Sequence, residues 1–260
     1  MKMWFIMRSS LLRHLVDSGS CNYLGWNLTT SLLPSAAKYP QSLDGLGQHI
    51  GHPNLPDLVC QYLHQSDADP DAIDTNPPSI FLQTPISHAE DVKAFHSAWA
   101  IFCTLSNPST TTGMYHETIQ ATPSWNWGEI PGPRYDCIFV SNGLSSDPGM
   151  GSLLVACVLL FFSFTIDGEL HQCALAHWFS TFGDQPDPEN GMWVVTPNYS
   201  GMKHNVSVIH IDNIMRAVHL LPIFNQQPLP HTLNYTKTLD SFRGFYVNKY
   251  IDYHAYESVF

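Results

Sequence analysis

The chain has 260 residues, of which 44% are hydrophobic and 13% charged, with 19 prolines and 12% aromatics. That apolar content is enough to offset the entropy of ordering, so a largely disordered, collagen-like or coiled-coil chain is excluded. A formal charge of −11 opposes tight binding to a phosphate backbone, and no basic stretch stands out along the chain.

In chain order, residues 1–50 are poorly patterned and read as a poorly structured leader. The apolar run Met3–Met7 is cut off by Arg8, which makes it shorter than the roughly 7–15 residues of a secretory signal core. A small α+β lead-in is expected over 51–130. Within it, Pro56–His64 predicts a short helix, with Leu58, Val59 and Tyr62 on one side. Asp67, Asp69, Asp71 and Asp74 fall among prolines and lack the central glycine and terminal bidentate Glu of a calcium loop, so they read as a solvated linker. Alternation over Lys93–Thr104 leans to a strand.

From Arg134 the β signal strengthens. The expected strands are Tyr135–Val140, Leu153–Thr165, Leu170–Phe179, Met192–Thr196, Val206–Ile211 and Ala217–Phe224, with turns at Asn142-Gly143, Asp167-Gly168, Asn190-Gly191 and Tyr199-Ser200-Gly201. The apolar stretch Leu153–Ile166 is shorter than the about 20 residues of a membrane helix and reads as a buried strand, or two strand segments across a bend. Leu239, Phe242, Tyr246, Tyr250 and Tyr253 recur at helical spacing and predict a terminal helix. The fold class expected is therefore α+β: a β-rich, antiparallel small barrel or bent sheet over 131–260, with a short N-terminal helical part and a C-terminal helix.

Sites are harder to read. His210 and Asp212, two apart on an expected strand, would share a face; with His219, and His204 nearby, they form the metal candidate of a metal-dependent hydrolase or nuclease. The segment Gly183–Gly191 carries Asp184, Asp187 and Glu189, without calcium-loop spacing and with two stiffening prolines. There is no G-x-S-x-G, P-loop, G-x-G-x-x-G or H-E-x-x-H sequence, so no catalytic residue and no cofactor is assigned. Trp125 and Trp127 are candidate apolar anchors. Together with the acidic rim of Asp184, Asp187 and Glu189 they are the expected interaction surface, since function concentrates on loops held by a sheet. The six cysteines show no C-x-x-C pair and are expected to be reduced. A secreted, disulfide-stabilised binding protein, for which sequons at Asn27, Asn198, Asn205 and Asn234 would matter, is the remaining alternative.

Several segments carry a more specific signal. They are His96-Ser97-Ala98, Gly113–Glu117, Ala121–Trp125, Arg134-Tyr135-Asp136-Cys137, Val158–Thr165, Cys173–Phe179, Gly191–Val195, Val208–Asp212, Arg216–Pro222 and Phe245–Tyr250. In this collinear order, over about residues 50–260, the chain resembles the C-terminal region of Plavaka-type fungal DNA-transposon proteins, which are similar to CACTA transposases. The resemblance implies a truncated, non-catalytic accessory region, because the acidic triad of the RNase H-like catalytic region is placed upstream and none of its positions matches here. It further implies partners among other transposase segments or chromatin proteins and an intracellular, nuclear location; the charge of −11 adds the expectation of weak or absent direct nucleic-acid binding, and the short apolar run that of no membrane association. The first 50 residues depart from the family pattern.

Overall fold

The structure is a computed structural model that describes residues 29–34, 39–67, 89–103, 114–127, 130–142, 149–224 and 233–259. Its centre is one antiparallel sheet assembled around two long strands, β6 (Leu153–Ile166) and β7 (Glu169–Thr181). They are joined by the predicted Asp167-Gly168 turn, in which both residues have positive φ (51° and 83°). That is the left-handed pair which a two-residue hairpin needs to match strand twist.

The uninterrupted apolar run of β6 has a geometric cause. Its register against β7 shifts between Val158 and Leu160, so a bulge at Leu159 inverts the in–out parity of the strand. Before the bulge, Ala156 and Val158 face the inner core; after it, Phe161 does. The opposite face is buried as well, by Leu153, Val155 and Cys157 in one cluster and by Leu160, Phe162 and Phe164 in another. Two buried faces erase the polar alternation of a half-exposed strand.

On one side, β6 pairs with β2 (Glu90–Cys103) at its far end and β5 (Cys137–Ser141) at its near end. Strand β2 carries β1 (Thr29–Pro34) and β3 (Met114–Trp127), and β3 carries β4 (Ile130–Tyr135). On its other edge, β7 pairs with β8 (Val194–Pro197) and β11 (Val206–His210), between which lies the small separate hairpin of β9 (Tyr199–Ser200) and β10 (Lys203–His204). Strand β12 (Ile214–Val218) returns to β5, while β13 (Leu220–Pro222) and β14 (Phe245–Val247) extend the sheet beyond β8.

This is the expected β-rich α+β class in its bent-sheet form. The sheet curls around an inner core in which Ala98, Ala100, Ala121, Ala156, Ala174 and Ala176 pack with Phe161, Ile119 and Ile138. Among the described residues the curl does not close into a barrel: β1 meets β12 through the Thr30 hydroxyl, which donates to the Ile214 carbonyl at 3.4 Å. No ladder joins the two strands.

A helical layer covers part of the outer face. Helices α1 (Leu43–His49) and α2 (Leu55–Asp67) place Leu43, Leu46, Leu55, Leu58 and Val59 against Leu160, Phe162, Phe164, Leu175 and Val208. The Ser42 side chain caps α1 by accepting from Gly45 N at 3.2 Å. A third cluster, with Phe139, Val155, Phe179, Val195, Phe245 and Val247, fills the other part of that face. Among the described residues no helix is long and apolar enough to cross a membrane.

Three expectations differ from these findings. Part of the expected leader is built into the fold, since Thr29–Pro34 pairs with β2 and the first helix buries Leu43 and Leu46. The sheet also draws β2 and β3 from before residue 131. The terminal helix is interrupted: α3 spans Thr238–Ser241 and α4 spans Tyr253–Val259, with β14 between them. Backbone pairing of Phe245-Tyr246 to β8 wins over the helical spacing of Tyr246, and Phe245 is fully buried. Met1–Met7, Cys21 and the aspartates at 69, 71 and 74 lie outside the described residues.

Candidate functional site

Strands β3, β4, β5 and β12 and the segment before α4 enclose a cleft of about 590 Å³. At its base sits Arg216. It interrupts the apolar sequence Ile214-Met215-Arg216-Ala217-Val218, and it is 3% exposed. A charge so buried requires matched partners. Its Nη1 and Nη2 donate to Asp252 Oδ1 and Oδ2 at 3.2 and 2.7 Å, the forked geometry that suits guanidinium and carboxylate. Glu117 Oε2 stands 3.6 Å from Nη2.

The two carboxylates respond differently. Burial would raise the Asp252 carboxyl, but hydrogen bonds from Arg216 and from Ala255 N–H hold it below the ordinary range. Burial dominates at Glu117 and pushes its carboxyl up, against the pull of Arg216 and of the hydrogen bond donated by Ala217 N–H. The bidentate partner of Arg216 is therefore the firmly ionised one. A second pair lies on the wall, where Arg134 Nε and Nη2 donate to Asp136 Oδ1 and Oδ2 at 2.9 and 3.2 Å. Gln120 N–H donates to the same Asp136 at 2.8 Å, which fixes the carboxylate to β3. Tyr135, Val218, Leu239 and Ile251 supply apolar lining.

The histidine–aspartate candidates are not brought to one point. His210 and Asp212 are neighbours, with Nδ1 3.4 Å from Oδ2. However, Asp212 lies in a one-turn 3-10 helix after β11 rather than on the strand, and its N–H donates to His210 Nδ1 at 3.2 Å, so His210 acts as a cap. His219 Nδ1 contacts Asn248 Nδ2 at 3.0 Å. His204 Nε2 lies 3.2 Å from Asp240 Oδ1, and its ring stacks on His177 and Tyr199, each at 4.6 Å between centroids. Among the described residues no group of three or more His, Cys, Asp or Glu could hold a metal ion.

The expected interaction surface is split between two places. Trp125 and Trp127 stand on β3 opposite Gly132 and Ile130 of β4, and their side chains lie outside the described residues. Asp184, Asp187 and Glu189 lie on the β7–β8 connection, and strands β6 and β2 separate β7 from β3. Asp187 is bound into its loop: Oδ1 accepts from Glu189 N and Asn190 N at 2.9 and 3.3 Å, and Oδ2 from the Tyr246 hydroxyl at 3.2 Å. Cys60, Cys137, Cys157 and Cys173 are not joined in disulfides.

Motif spacing does not connect the members of the cleft network, because they come from distant parts of the chain. The available signal was a charge inside an apolar strand, at Arg216, and an arginine two residues before an aspartate, at Arg134 and Asp136. Comparison with protein-family models, with curated proteins and with solved structures finds no match for this chain.

Proposed function

We propose that the chain is a non-catalytic, transposon-derived accessory domain that acts by binding another protein through the Arg216 cleft. One observation carries this reading. Three separate segments of the family resemblance, ending in Glu117, spanning Arg134–Cys137 and starting at Arg216, converge on the walls of one cleft. In this reading the resembling residues form a common surface rather than a scatter of core positions.

The chemistry of the cleft fits a cationic peptide segment. Glu117, Asp136 and Asp252 outnumber Arg134 and Arg216, and the chain as a whole carries −11, so the field favours positively charged partners and disfavours duplex DNA. The ion pairs keep the walls rigid, which lowers the ordering cost of association. Tyr135, Leu239 and Ile251 offer apolar contact next to the carboxylates.

The experiment is a fluorescence-anisotropy titration of the purified chain with a lysine- and arginine-rich peptide, an acidic peptide of the same length and duplex DNA, each at several salt concentrations. The basic peptide should bind with salt-sensitive affinity, and Asp136→Asn should weaken it several-fold. Duplex DNA should bind no tighter than the roughly 10⁻⁴–10⁻⁶ M of non-specific association. Equal binding of the acidic peptide would overturn the partner assignment. Divalent-ion-dependent cleavage of DNA that is abolished by His210→Ala or Asp212→Ala would overturn the non-catalytic reading in favour of the hydrolase.

A further inference from the structure

A pair of thiols with a distinct geometry lies at the cleft wall, one lining it and one behind it. Cys137 on β5 and Cys157 on β6 are directly opposed across the antiparallel ladder. Along the same register, Val158 N–H donates to the Asp136 carbonyl and Asn142 N–H to the Ser152 carbonyl, each at 3.1 Å, which sets the hydrogen-bonded positions of the ladder at the even-numbered residues. Opposed pairs alternate along an antiparallel ladder, so 137 and 157 form a non-hydrogen-bonded pair, with Cα atoms about 4.5 Å apart and side chains leaning together. A disulfide accepts Cα separations of roughly 4.4–6.8 Å. The spacing of a directly opposed pair of this kind falls within that range.

The two thiols differ in access and in chemistry. Cys137 lines the cleft, whereas Cys157 is 1% exposed and packs behind it with Phe139, Val155 and Phe179. The Cys157 thiol donates toward the Tyr135 carbonyl at 3.7 Å. Its hydrogen bond with Cys137, and then burial, keep it protonated well above the ordinary thiol range. Cys173 contrasts with this pair: burial pushes its thiol up to about 12, and its neighbour is Tyr62 rather than another thiol.

We propose that Cys137 and Cys157 form a reversible redox pair, in which a small peroxide entering the cleft oxidises Cys137 and Cys157 closes a cross-strand disulfide. In the first step the Cys137 thiolate attacks one peroxide oxygen. The O–O bond breaks, hydroxide leaves and takes up a proton as water, and Cys137 becomes a sulfenic acid. In the second step the Cys157 sulfur attacks the Cys137 sulfur. An S–S bond forms, the S–O bond breaks, and the hydroxyl departs with the Cys157 proton as a second water. Two thiols thus lose two electrons and two protons, and the peroxide is reduced to two waters. The product pins β5 to β6 beneath the cleft.

The test treats the full chain with hydrogen peroxide, then denatures and alkylates it and reads the intact mass. Of the six cysteines, about four should remain alkylatable, and dithiothreitol should restore the other two. Peptide mapping should join Cys137 to Cys157. Cys137→Ser should show no peroxide-dependent loss, and Cys157→Ser should leave a sulfenic acid on Cys137 that dimedone traps. Six thiols after treatment, or a disulfide mapped to any other pair, would overturn the assignment. If either serine variant fails to fold by circular dichroism, the wild-type peptide map alone decides the question.

Discussion

Arg216 and Asp252 lie 36 residues apart and are joined by two parallel hydrogen bonds, the shorter at 2.7 Å. That pair ties β12 to the start of α4, because Asp252 Oδ1 also accepts from Ala255 N–H at 2.7 Å. Arg216 is buried, whereas the Asp252 side chain is 40% exposed, so the two ends of the pair are unequal. Removing the arginine strands the half-buried Glu117 carboxylate; removing the aspartate leaves Arg216 with Glu117.

Arg216→Ala is therefore expected to cost about 3–5 kcal/mol, as for other broken buried pairs. Asp252→Ala should cost less, about 1.5–3 kcal/mol for the lost hydrogen bonds to a charged group, because Glu117 remains 3.6 Å from the buried guanidinium. Urea denaturation of both variants checks the order. Equal losses would mean that Asp252, not burial, sets the strength of the network.

His177 gives the fold a pH dependence. Burial first, then the neighbouring His204 and His52, lower it from its ordinary value to about 4. The folded state thus binds fewer protons than the unfolded chain, so the stability contributed by neutral His177 is complete above about pH 6.5 and is lost as pH falls toward 4. Between pH 7.5 and 5.0 the loss from this residue should be about 2 kcal/mol. His177→Phe should flatten that part of the profile, measured by urea midpoints at the two pH values. An unchanged slope would place the titration elsewhere.

Much of this architecture was legible in the sequence where local pattern and tertiary pairing agree. The Asp167-Gly168 turn, the long strand over Leu153–Ile166 and the helix beginning near Pro56 all follow from side-chain period and turn chemistry. Strand β3 did not, because Pro123 and the polar residues Glu117, Thr118 and Gln120 break its apolar alternation. Its place is set by pairing with β2. Tyr246 points in the opposite direction: it sits at helical spacing from Phe242 and Tyr250, but the backbone hydrogen bonds of Phe245–Val247 are satisfied by β8 and β13. The cleft depends on residues about 100 positions apart, such as Glu117 and Ala217, which no local period connects.

The β7–β8 loop depends on Asp187 for its shape. One carboxylate receives two backbone N–H groups and the Tyr246 hydroxyl, and Lys249 Nζ donates to the Gly191 carbonyl at 2.8 Å. Asp187→Ala should cost about 1–2 kcal/mol, from hydrogen bonds to a charged group that is partly solvated. Amide exchange over 187–192 should accelerate far more than exchange in β7. Asp184→Ala and Glu189→Ala, at exposed positions, should change stability by less than about 0.5 kcal/mol. Comparable effects at all three would assign the loop's shape to its overall charge instead.

The inner core sets the tightest steric limit. Ala98, Ala100, Ala156, Ala174 and Ala176 are all 0% exposed, and they lie in one core cluster on the neighbouring strands β2, β6 and β7. An interior packed to crystal-like density has no slack to absorb added methylenes. Ala174→Leu should therefore destabilise by about 1–3 kcal/mol even though it adds apolar surface to be buried. Leu170→Ala, four residues away on the same strand but 61% exposed, should be nearly neutral. Thermal midpoints of the two variants distinguish packing from hydrophobicity: if packing sets the limit, the added leucine lowers the midpoint by several degrees while the removed one leaves it in place. A stabilising Ala174→Leu would mean that the curl encloses unfilled space.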